Sequence, residues 1–440
     1  MRIWVRVPLV LAAVATLGGC GAFKGEKKAT PTIGQRVPIL MSESDIVADK
    51  SLASVDVALP APMVNDAWSQ PGGNAAKSMG HLALGASPAR AWTATIPGNT
   101  KKERLAAAPV IAAGRVYVMD TTATVHAFAA DTGARVWQTE TVTDKENRNA
   151  RFGGGVSFDD GVLYATNGLG DVVALDAATG TVKWRVKPGG PLRGAPTVAN
   201  GALYVLSQDN QLFALSETDG SVQWNASGSL ESQGVFGVAA PAVAQGTVVA
   251  GFSSGELNAY RYENGRTVWA DALSRTSIST SVSSLSDIDA EPVIDSGQVY
   301  AIGQGGRMVA LQVVTGQRLW EQNLAGIATP WVAGEWIFVV TDDARLMCIA
   351  RGSGKVRWIS QLQKYRNPKK SKNPISWTGP VLAGNRLVLV NSEGEITFAS
   401  PADGKVQGKI ATKARVTLPP VVANNMLFVL DEKGRLSAFR

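Results

Sequence analysis

An all-β fold, an eight-bladed propeller of four-stranded antiparallel blades, is what this 440-residue sequence predicts, on three observations. First, a proline is followed 28 positions later by a tryptophan in Pro109/Trp137, Pro196/Trp224, Pro241/Trp269, Pro292/Trp320 and Pro330/Trp358. Second, each interval holds four runs of about five residues with period-two alternation, broken by Gly and Asp turns, which is the pattern of an antiparallel meander. Third, the last interval, from Pro420, stops at Arg440 before its fourth run, while Ala91-Trp92-Thr93-Ala94-Thr95 reads as a strand without a blade of its own. A repeat of constant interior length whose two ends complete one another is a closed ring rather than a string of domains.

The chain opens with an address. Arg2 and Arg6 precede an apolar stretch, Val7 to Leu17, too short to span a bilayer and of the length of a signal-peptide core. It ends in Leu17-Gly18-Gly19-Cys20, which resembles a bacterial lipobox. Residues 1–19 are therefore expected to be a signal peptide, with Cys20 lipidated and holding the chain on a membrane through its acyl chains. Gly21, where an aspartate would resemble an inner-membrane retention signal, favours the outer membrane, facing the periplasm. Residues 20–64 carry Lys24, Lys27, Lys28 and several prolines without a sustained period, so they read as a tether. Residues 65–440 are assigned to the propeller.

Within it, Trp92 stands at the head of the closing strand, and Val156 and Trp184 keep the frame of the second unit. The tryptophans Trp92, Trp137, Trp184, Trp224, Trp269, Trp320 and Trp358 are expected to dock between neighbouring blades, each burying about 150–250 Å². The turn before each, as in Asp131-Thr132-Gly133, supplies a residue that tolerates positive φ. Pro380 leads 28 positions on to Gly408, the one frame without its tryptophan, where the contact is expected to be looser or filled by another side chain.

Composition narrows the function. A net charge of +7, from 43 basic and 36 acidic residues, is thin for a nucleic-acid binder, and none is expected as a partner. Two histidines, His81 and His126, and two cysteines, Cys20 and Cys348, offer neither a Ser-His-Asp triad nor a zinc-ligand cluster. No catalytic residue, metal ligand or cofactor is assigned. His126 reads as a packed or half-exposed strand residue, Cys348 as a buried strand thiol, and Gly153-Gly154-Gly155 as a turn without the helix that a phosphate cradle needs. Because the interior of each unit is constant, length variation falls in the links between blades, which share one face, and loops on a rigid scaffold are where binding usually sits. Two long links contrast: Asp271 to Glu291 carries Asp287 and Asp289, whereas Gln363 to Pro374 carries Lys364, Arg366, Lys369, Lys370 and Lys372 with no acid.

The frame of Asp176-Ala-Ala-Thr179-Gly180 to Trp184 resembles the repeat of pyrroloquinoline-quinone dehydrogenases. With a lipobox, a tether and eight such units, the chain is more similar to the BamB family, lipoproteins of the outer-membrane β-barrel assembly (BAM) machinery. That resemblance implies a non-enzymatic scaffold that binds the periplasmic POTRA domains of the barrel-forming BamA subunit, together with other BAM subunits and barrel clients. The alternative it leaves is a periplasmic quinoprotein oxidoreductase. Leu285-Ser286-Asp287-Ile288-Asp289 resembles one family contact loop, which makes Leu285, Asp287 and Asp289 partner-binding candidates. The other, a Leu-x-Leu-Arg-Gly stretch, falls at Leu230 to Gly237, where the arginine is absent; Leu230 and the aromatic Phe236 are the candidates there.

Overall fold

The computed structural model describes residues 46–143, 147–192, 194–230, 239–273 and 287–440. Eight four-stranded antiparallel sheets follow one another along the chain, each ordered from an inner to an outer strand. In the first blade Val110–Ala112, Arg115–Met119, Thr124–Ala129 and Arg135–Glu140 pair in sequence. The eighth blade takes Val421–Ala423, Met426–Leu430 and Arg435–Phe439 from the C-terminal end and its outer strand, Arg90–Thr95, from the other, with Trp92 opposite Ala438. Ring closure is therefore made by backbone pairing, which removes an open edge.

Alternation fails on the second and third strands, which are buried on both sides, and survives only on the outer strands, as in the exposed and half-buried sequence of Arg135–Glu140. Those inner strands are faced by neighbouring blades, so both of their faces lie in a core.

Seven outer strands carry a tryptophan: Trp92, Trp137, Trp184, Trp224, Trp269, Trp320 and Trp358. Each indole N–H donates to a carbonyl at the last turn of the next blade, from Trp92 to Ala130 (3.0 Å) around to Trp358 to Pro401 (3.0 Å). The turn glycine lies beneath the ring: a Cβ on Gly133 would sit 2.5 Å from Trp92, and Gly133 has φ +71°. Across the ladder each tryptophan faces a small residue, alanine in six blades and Cys348 opposite Trp358. Cys348 is thus a space-saving residue, and burial pushes its thiol pKa up. In the seventh blade the pair is inverted, with Gly408 facing a buried Phe398.

The segment read as tether is ordered on the propeller from residue 46: Asp49 N–H donates to Val356 O (2.7 Å) and the Arg357 guanidinium to Val55 O (2.7 Å). Residues 65–82 then travel once around the axis, touching each inner strand or the turn after it in ring order. Asn65 O accepts from Asn424 in the eighth blade, Trp68 pairs with Ile111 in the first, and Ser69 O accepts from Phe158 in the second. Gln70 Oε1 takes the Val198 N–H, Ala75 O and Ala76 O take those of Val243 and Ile294, and Gly80 O takes the Trp331 indole. Leu82 ends the circuit against Leu382 and Gly384. His81, buried, is structural: its Nδ1 lies 2.7 Å from Pro60 O and its Nε2 accepts from Asn385 N–H.

Candidate partner-binding face

Inner strands run from the face of the long links toward the face of the tight turns, and residues 65–82 cross the ring near the latter. They floor a cavity of about 360 Å³, to which Trp68 and Lys77 contribute from below and Asp289, Glu291, Trp331 and Leu418 from the sides. Trp68 and Trp331 stack with centroids 6.1 Å apart. Lys77 Nζ donates to Pro71 O (2.9 Å) and Thr197 Oγ1 (3.0 Å). Burial lowers the Lys77 pKa to about 8 against the pull of Glu291, and raises that of Glu291 to about 7 against the pull of Lys77. Both are held toward their neutral forms, because charge is costly where water is scarce.

On the link face, loops between the second and third strands are tied by short side-chain caps. Asp120 Oδ1 accepts from the backbone N–H groups of Thr122 (2.7 Å) and Thr124 (3.0 Å), and Asn391 and Asp431 do the same in their blades. Asp120 Oδ2 also lies 2.8 Å from Nε2 of the buried His126. Two of these loops also bond the link into the eighth blade, Glu432 N–H donating to Arg415 O and Val416 N–H to Asn391 O.

The candidates from the two contact loops separate sharply. Leu230, after the outer strand Val222–Ser227 of the third blade, is 78% exposed. The link is pinned beneath it, since Ser229 N–H and Oγ both donate to the Glu256 carboxylate (2.7 and 2.8 Å). Asp287 and Asp289, the partner-binding candidates of the other loop, are only 1% and 7% exposed. Ile288 between them is the cause. Its N–H donates to Phe252 O (3.2 Å), and a Cβ on Gly251 would lie 2.5 Å from its side chain, so the fourth blade leaves a slot that the isoleucine fills. Asp287 O takes the Gln304 N–H (3.0 Å) and Glu291 N–H donates to Thr329 Oγ1 (3.2 Å), which fastens the link inward and places Asp289 on the cavity wall. Leu285 and Phe236 lie outside the described residues.

The basic link is a small exposed hairpin, Tyr365–Asn367 with Lys372–Pro374, joined by a 3-10 turn at Pro368–Lys370. Arg366 is bound by Glu393 through two N–H···O contacts of 2.6 and 2.9 Å. Sequence reading found the charge of this link but not its shape, and it missed both the ring-crossing segment and the Lys77–Glu291 pair. Turn residues at Pro71-Gly72-Gly73-Asn74 beside Trp68 were the only local sign that residues 65–82 are ordered. Among the described residues no three His, Cys, Asp or Glu side chains converge as a metal-holding group.

A family model described as "Outer membrane protein assembly factor BamB" matches residues 83–151, 121–360 and 363–440. A curated protein of that name from Yersinia pestis is 27% identical over 359 residues, covering 80% of this chain and 89% of the relative. Its Escherichia coli K12 counterpart is 29% identical over 354 residues, 79% of this chain and 88% of the relative. Among solved structures, BamB from Moraxella catarrhalis superposes with a TM-score of 0.68 at 18% identity, over 80% of this chain and all of the other. A europium-containing methanol dehydrogenase reaches 0.67 at 14% identity, over 85% of this chain and 98% of the other, which is a likeness of fold alone. The family model spans all eight blades, and the chain belongs to the BamB family of outer membrane protein assembly factors.

Proposed function

We propose that the chain is a non-enzymatic scaffold lipoprotein of outer-membrane protein assembly, anchored through Cys20 in the outer membrane and facing the periplasm. Its link face docks the POTRA domains of a BamA-type subunit and thereby assists the folding and insertion of β-barrel clients. The observation that carries this reading is the family match across residues 83–440. The exposed Leu230, on a link fastened from below by Glu256, supports it as the apolar centre of the contact. Asp287 and Asp289 enter the proposal in a changed role: buried beside Ile288, they shape the neighbouring link rather than offer free charge.

The test is purification of the lipidated protein from its own membranes and identification of what stays bound, followed by titration with isolated POTRA domains. Leu230→Asp is expected to weaken POTRA binding at least tenfold with no loss of thermal stability, since the side chain is exposed in the free protein. Unchanged binding would remove Leu230 from the interface. Thermal stabilisation by pyrroloquinoline quinone and Ca²⁺, with no recovery of a barrel protein, would instead favour an oxidoreductase.

A further inference from the structure

The basic hairpin is one part of a larger surface. The link from the seventh to the eighth blade carries Lys413, the loop between the second and third strands of the eighth carries Lys433, and the link into the first carries Lys101 and Lys102, all exposed. These segments are adjacent on the link face and hydrogen-bonded in series: Asn99 N–H donates to Glu432 O (2.7 Å), Glu432 N–H to Arg415 O (2.9 Å), and Val416 N–H to Asn391 O (3.2 Å). Arg366 joins the hairpin to the Asn391 loop through Glu393. One sector of the ring therefore presents eight exposed lysines, counting Lys364, Lys369, Lys370 and Lys372, on a connected backbone.

The arginines of the sector are already engaged. Arg366 is held by Glu393, Arg415 lies 3.7 Å from Glu432, and Arg104 donates to Glu103 O (3.1 Å) and to Thr100 O. None of the eight lysines is ion-paired among the described residues. Lys364 sits 5.7 Å over the Tyr365 ring, and the others extend without a carboxylate partner. Glu393 and Glu432 are thus engaged by arginine and the Glu103 carboxylate by the Thr100 hydroxyl, so the outward charge left without an ion pair is carried by the lysines.

We infer that this lysine sector rests on the anionic headgroups of a phospholipid surface. Interfaces between proteins favour arginine and aromatic residues and are depleted in lysine, whereas a fluid array of phosphates is matched by compact, mobile ammonium groups. Each lysine near an anionic leaflet strengthens partitioning about fivefold, so even three or four act as a second attachment beside an acyl anchor. The sector includes neither Leu230 nor the Asp287 link, so a lipid contact here leaves the proposed docking site free. It goes beyond the scaffold reading and does not require it.

The experiment uses the purified lipidated protein with a fluorophore on Ser371→Cys, Cys348 being buried, reconstituted in vesicles of phosphatidylcholine alone or with 30% phosphatidylglycerol. Both contain a headgroup-quenching lipid. At least threefold stronger quenching in the anionic vesicles is expected, reversed by 0.5 M salt and abolished by Lys369→Glu/Lys370→Glu/Lys372→Glu with no change in thermal midpoint. Equal quenching in the two compositions overturns the inference, as does protection of the hairpin only when POTRA domains are added, which would make it a protein contact. If the chain does not stay on neutral vesicles at all, the anchor reading fails, and recruitment to the anionic vesicles alone then reads the same lysines.

Discussion

Seven blade junctions and an eighth differ in one exchange. At seven, a tryptophan on the outer strand faces alanine or Cys348 across the ladder and reaches over a turn glycine of the following blade. At the junction from the seventh blade to the eighth, Gly408 faces Phe398, and a Cβ on Gly408 would meet nothing within 4 Å. The reason lies in the blade that follows. Its third and outer strands come from opposite ends of the chain, joined at Arg440 and Ala89 by a pair of backbone hydrogen bonds, so no turn is present for an indole to cap. The tryptophan is therefore a device for the turn, not for the sheet. Where the turn is missing, the aromatic volume moves across the ladder to the third strand.

Substitutions should break the regular junctions and spare the odd one. Trp269→Ala is expected to cost about 3–5 kcal/mol in urea unfolding, through the cavity and the lost Trp269-to-Val313 hydrogen bond of 2.8 Å. Gly316→Ala, beneath the same ring at φ +69°, should cost about 1–3 kcal/mol from strain and overlap. Glu217 sharpens the comparison electrostatically, since its carbonyl receives the Trp184 indole while burial first, then Asp159, raises its carboxyl pKa to about 7. A carboxyl raised in the fold destabilises as pH climbs from the unfolded value toward 7, so Glu217→Gln should gain stability at pH 8 and none at pH 4. Partial exposure limits that gain to roughly 1 kcal/mol. Gly408→Ala is expected to be the mildest change and opposite in sign to Trp269→Ala and Gly316→Ala, a gain of about 0.5–1 kcal/mol, because a strand glycine gives way to alanine in open space. Thermal scans of the four variants side by side rank them; a loss at Gly408 as large as at Gly316 would end the distinction.

The blades were legible because their signals are local. Pro, Gly and Trp recur at one spacing, and each marks a turn or a junction within its own unit or the next. The site was legible only in part. Asp287 and Asp289 are candidates only through the likeness of their loop to a family contact, which carries no information on burial, and Ile288 draws that link into a slot opened by Gly251, 37 positions earlier. Leu230 reads as a candidate only through family likeness, since one apolar residue in a link has no local signature. Residues 65–82 gave least of all, having no period of their own; Asn65 finds its partner 357 positions away.

That circuit of residues 65–82 bears on the order in which the molecule is assembled. They are synthesised before any blade, yet their seats are complete only once Arg435–Phe439 has met Arg90–Thr95. A segment made ahead of the blades is thus among the last to meet all of its partners, which run from Ile111 to Asn424. Contacts that span nearly the whole chain carry a large loop-closure cost, so closing such a ring is expected to be slow beside the formation of a single blade.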